Sequence, residues 1–146
     1  MTPHLLALMT SAVGLLSACA TNSTPTDDAP STTSPHVISH EGTWSVAWTT
    51  PPTGVPLNET WSMDVWIRPA NAEPEDAVPS SLSFDARMPH HRHGMNQIPT
   101  VTQLRPGECR WRIEGIRLHM PGTWFFYWDI DDGTVIERAE HRIELQ

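Results

Sequence analysis

From Trp44 onward, apolar residues fall on every second position. Trp44, Val46 and Trp48 share one parity, and so do Trp61, Met63, Val65 and Ile67, with Trp66 on the other. Leu82, Phe84, Ala86 and Met88 alternate with Ser83, Asp85 and Arg87. Trp111 and Ile113 alternate with Arg110 and Arg112. Trp124, Phe126, Trp128 and Ile130 form a further set. Val135, Ala139, Ile143 and Leu145 oppose Ile136, Arg138, Glu140, Arg142 and Glu144. A strand turns successive side chains to opposite faces, whereas a helix repeats every ~3.6 residues, so this period marks half-buried strands. It predicts six or seven of them and no helix.

The punctuation agrees. Fourteen prolines disfavour helix interiors and fit short strands with stiff connections. Pro51-Pro52-Thr53-Gly54 separates the first two runs. Met120-Pro121-Gly122-Thr123 predicts a type II turn, with proline second and glycine third. Asp131-Asp132-Gly133 predicts a tight hairpin. The proline-rich stretch 69–79 is long enough to cross between sheets. We expect an all-β, immunoglobulin-like antiparallel β-sandwich of about seven strands over residues 37–146, with an antiparallel barrel as the alternative. A chain of that length buries a core without disulfides, and seven tryptophans supply large buried area.

The first forty residues have a different character. Leu5–Leu16 is an apolar run too short for a bilayer, which needs about 20 residues, but of the length of a signal-peptide core. Leu16-Ser17-Ala18-Cys19 follows and resembles the bacterial lipobox, in which the cysteine is acylated and becomes the first mature residue. The thiolate is the nucleophile that accepts the lipid. One departure is that no Lys or Arg precedes the apolar run, only His4 and the α-amino group. The expected organisation is a lipoprotein signal peptide at 1–18, lipidation at Cys19, and a disordered tether at 19–36 with no large apolar residue. The membrane partner is then reached through the lipid. By resemblance to Gram-negative lipoproteins, Ala20 after the cysteine points to the outer membrane, facing the periplasm. In a Gram-positive cell the anchor stays in the plasma membrane.

The net charge is −8, and all nine basic residues are arginine. With no basic stripe, nucleic acid is not an expected partner. With Cys19 acylated, Cys109 has no cysteine partner, and its position at a strand start suggests a small buried hydrophobe. Arg110-Trp111-Arg112 follow it, where a blue-copper loop would bring His and Met, so an electron-transfer copper site is not expected.

Chemistry concentrates in Met88-Pro89-His90-His91-Arg92-His93-Gly94-Met95, which holds three of the eight histidines and two of the six methionines. Leu118-His119-Met120-Pro121-Gly122 adds one of each. Imidazole and thioether are the donors that suit copper, thioether favouring Cu(I) and imidazole serving Cu(I) and Cu(II). Zinc prefers thiolate, imidazole or carboxylate, and calcium wants oxygen. In an extended chain His91, His93 and Met95 point the same way, Met88 joins them if Pro89-His90 bends, and Gly94 lets the backbone turn or a ligand approach. The candidate metal ligands are Met88, His91, His93, Met95, His119 and Met120. The alternative is a solvated histidine loop whose methionines plug the core.

Met-Pro-x-His-x-His-Gly-Met at 88–95, followed by His-Met-Pro-Gly-x-Trp at 119–124, resembles the YtkA-like/FixH-like family. The likeness extends loosely from about Thr43 to Ile143. It implies an immunoglobulin-type sandwich, and some relatives are linked to copper supply for haem-copper oxidases. FixH-type proteins carry a transmembrane helix, where this chain has a lipobox. Two functions follow. One is an extracytoplasmic, lipid-anchored copper-binding protein acting as chaperone, buffer or sensor, with a copper-receiving protein as partner. The other is a non-catalytic interaction module without a metal. An enzyme is not expected: there is no nucleophile beside a base, no paired carboxylate motif and no phosphate loop.

Overall fold

The computed structural model describes Pro30, residues 34–71 and residues 77–146. The stretch 1–18 expected to be a signal peptide, Cys19 and most of the expected tether lie outside the described residues. Among the described residues, nine strands form two sheets: β1 (His36–Ile38), β2 (Trp44–Trp48), β3 (Trp61–Pro69), β4 (Ser81–Met88), β5 (His93–Gly94), β6 (Thr100–Gln103), β7 (Arg110–Ile116), β8 (Gly122–Asp131) and β9 (Ile136–Leu145). One sheet has the order β1-β2-β3-β7-β6 and the other β5-β4-β8-β9. Their strands pair antiparallel throughout. The domain is a β-sandwich, and its two separate sheets set aside the barrel. The strands beyond those read from periodicity, β1, β5 and β6, are sheet edges of three, two and four residues. Segments so short display too few positions for a period to show.

The inward parities meet between the sheets. Trp48, Trp124, Trp128, Phe126, Met63 and Ile67 are fully buried. Their rings interlock: Trp48 and Trp128 lie 4.7 Å apart between centroids, and Phe126 meets Trp128 edge-on at 5.9 Å. Full burial of a large apolar side chain stabilises by roughly 1.5–3 kcal/mol, so this aromatic layer dominates cohesion.

Strand β3 is buried on both faces at its centre. On its outer side, Asp64 receives Arg110 at 2.6 Å and Arg112 at 2.9 Å, and the Arg110 guanidinium lies 5.2 Å over the Trp66 ring. The arginines of β7 thus neutralise a carboxylate that has lost most of its water.

Two expectations need correction. Val135 is 63% exposed, in the loop between β8 and β9, and the next inward position of β9 is the buried carboxylate Glu137. Its Oε1 accepts the backbone N–H groups of Glu41 at 2.7 Å and Thr43 at 3.3 Å, clamping the bend before β2. Burial pushes the Glu137 carboxyl up, but hydrogen bonds from Ser39, Thr43 and Glu41 outweigh it and hold it below the usual glutamate value. Cys109 is a free cysteine only half-buried, because it sits just outside β7. Its carbonyl accepts from Ile67 N at 2.8 Å.

The crossings between sheets place the chemistry. β3 passes to β4 through residues 70–80, the crossover expected from the prolines. The chain returns from β5 to β6 through residues 95–99, and crosses again from β7 to β8 through residues 117–121.

Candidate metal centre

Met88 ends β4, and Pro89–His91 form a single 3₁₀ turn. Arg92 closes it in the left-handed region at φ 57°, its N–H donating to the Pro89 carbonyl at 3.1 Å. The chain then reverses into β5, where His93 pairs with Met88 and Gly94 with Arg87. The Met95 N–H reaches the Ala86 carbonyl at 3.1 Å. Ala86 and Met88 face the core. Residues opposite each other across a ladder share a face, so His93 and Met95 also turn toward the interior, at its open edge. Gly94 serves this close pairing: a Cβ there would lie 3.1 Å from the Ala86 carbonyl oxygen.

The second segment is fixed from below. Leu118 is fully buried, bridges Leu57, and its carbonyl accepts the Asn58 N–H at 2.7 Å. The Arg117 guanidinium donates to Asn58 Oδ1 at 2.8 Å. Asn58 itself holds φ 61°. Arg92 and Asn58 are the described non-glycine residues with positive φ, and each braces a histidine-bearing segment. Beyond His119, the Met120 carbonyl accepts the Trp124 indole N–H at 2.9 Å, tying the turn to β8.

These two segments meet. The His93 and His119 rings lie 5.3 Å apart between centroids, and His91 lies 5.8 Å from His93. Trp124, fully buried, meets both: His119 edge-on at 5.6 Å and His93 at 6.0 Å. Two imidazoles sharing one ion at a metal–nitrogen distance of about 2.0–2.1 Å have centroids roughly 5–6 Å apart, so both separations are compatible with a common ligand. No group of three or more His, Cys, Asp or Glu among the described residues is close enough for a ready-made cage. A donor set here therefore draws on two imidazoles and on thioether sulfur.

The six candidate ligands do not share one environment. His93 and His119 are half-buried and face each other. His91 is exposed on the 3₁₀ turn, and approaches His93 because the chain bends there, not because both lie on one strand face as the extended reading supposed. Met88 is 1% exposed, and its methyl would lie 3.0 Å from a Cβ on Gly122, so it belongs to the core and touches the start of β8. Met95 and Met120 are half-buried against the core. His90 is exposed on the same turn as His91.

His119 Nδ1 is buried without a hydrogen-bond partner. A buried polar nitrogen left unpaired costs about 1–3 kcal/mol, and an ion is one means of satisfying it. His93 Nδ1 lies 3.3 Å from the Gly94 carbonyl, a contact that orients the ring. Sequence reasoning missed Trp124 and Asn58 as parts of the site. Trp124 closes the second motif and was legible there as a core residue. Nothing in the chain around Asn58 signals its role. Comparison with protein-family models, with curated proteins and with solved structures gives no match.

Proposed function

We propose that this domain binds copper at the mouth between its sheets, through His93 and His119, with a thioether from Met88, Met95 or Met120 completing the donor set and exposed His91 as an outer contact on the neighbouring turn. In this reading the chain is an exported, lipid-anchored chaperone, buffer or sensor of the YtkA-like/FixH-like type, held to the membrane at Cys19. It passes copper to a receiving protein and performs no catalysis. The observation that carries the proposal is the 5.3 Å approach of His93 and His119, residues delivered by different connections between the sheets. Packing alone does not require it, since apolar side chains would close the same gap without burying an unpaired nitrogen. The thioethers nearby favour copper over zinc.

The test is a titration of the protein with Cu(I) and with Cu(II) against a competing chelator, on wild type and on single alanine variants. His93→Ala and His119→Ala each weaken affinity at least tenfold, about 1.4 kcal/mol, with Trp124 fluorescence quenched on loading in wild type. His91→Ala has a smaller effect and His90→Ala none. If affinity is untouched in every variant, the copper reading gives way to that of an interaction module. An open groove of about 970 Å³ supports the latter, lined by Met95, Ile98, Tyr127 and Arg138, with Ile98 96% exposed.

A further inference from the structure

Resting on the copper reading, we infer that the two central histidines use opposite ring nitrogens, His93 binding through Nε2 and His119 through Nδ1. A neutral imidazole carries one N–H donor and one lone-pair acceptor, so whatever fixes the proton at one nitrogen assigns the metal to the other. For His93 the partner of Nδ1 is the Gly94 carbonyl at 3.3 Å. A carbonyl oxygen only accepts. Nδ1 therefore holds the proton, and the lone pair stands on Nε2.

His119 has the reverse environment. Its Nδ1 is buried and unpartnered, whereas Nε2 is not among the buried unpartnered atoms. The indole N–H of neighbouring Trp124 is already committed to the Met120 carbonyl at 2.9 Å, so it does not satisfy Nδ1. Buried N–H groups without an acceptor are rarer than under-satisfied acceptors, which places the proton on Nε2 and the lone pair on Nδ1. Met88, fully buried at the end of β4, lies opposite His93 in the ladder with its methyl near Gly122. The carbonyls of Gly94 and Met120 thus act on the site without touching the ion, one by holding a proton and the other by withholding a donor.

Long-range ¹H–¹⁵N correlation spectra of the histidine rings test this on the full chain. In metal-free protein, His93 shows the Nδ1–H tautomer and His119 the Nε2–H tautomer. On addition of Cu(I), which is diamagnetic, His93 Nε2 and His119 Nδ1 shift while their ring partners keep their protons. A metal-free His119 protonated at Nδ1, or Cu(I) shifting His119 Nε2, overturns the assignment and leaves the copper reading standing. If Cu(I) shifts neither ring, both fall together.

Discussion

Gly122 begins β8 at φ +116°, and a Cβ there would stand 3.0 Å from the Met88 methyl. Backbone and packing therefore ask for the same residue. Gly122→Ala should cost about 1–3 kcal/mol in chemical denaturation, most of it from the positive φ, because the methionine end can move aside. His141 makes a different demand. Its half-buried ring lies 4.7 Å from Trp48, and burial holds its pKa below the ordinary 6.5. The folded state thus prefers the neutral ring. The stability this gives is complete above the unfolded pKa and is lost as pH falls from about 6.5 through the lower folded value. Thermal melts between pH 7.5 and 5 should show a fall in midpoint that becomes shallower in His141→Phe. An unchanged slope in that variant would assign the dependence to other groups.

At the scale of elements, the turn from β4 into β5 decides where the histidines go. Its sequence announced histidine and methionine but not shape, since alternation alone would have continued the strand through His91 and His93. Pro89 starts a 3₁₀ turn, and Arg92 takes the left-handed conformation that reverses the chain. Glycine accepts that conformation freely while β-branched residues resist it. Arg92→Gly should therefore stay within about 1 kcal/mol of wild type, and Arg92→Val should lose more than that, with copper affinity falling in parallel as the turn opens. Strand β9 shows the same limit of sequence reasoning. Its parity was legible, but a carboxylate on the inward side was not, because the backbone donors of Glu41 and Thr43 that satisfy Glu137 come from a distant bend.

For the whole molecule, a period of two over long runs of tryptophan and β-branched residues was enough to read the sandwich. Those side chains need a face to bury and the turns were marked by Pro and Gly. Short edges such as β5 were not legible, and neither was the pairing that sets His93 opposite Met88, since both depend on contacts formed after the sheets assemble. The two motifs could be picked out by composition, while their meeting at Trp124 needed the three-dimensional fold. Because the proposed ligand binds the folded state, copper should raise the thermal midpoint. At a free concentration 100 times Kd the added stability is about 2.7 kcal/mol, and His119→Ala should abolish most of it. A midpoint that copper does not move in wild type would argue against a site built on folded geometry.

His93 precedes the passage from β5 to β6, and His119 lies on the passage from β7 to β8. An ion held by both would act as a clasp across the open end of a folded sheet pair, leaving the far end, with its Asp132–Val135 hairpin, to breathe as before. Loading would then change how the domain comes apart more than how it looks. With the ion in place that end would let go later than without it, and copper would leave only when it gapes. The rate at which the protein surrenders its cargo would thus be set by the loosening of two protein edges, and a partner able to pry them apart would collect copper faster than one that waits.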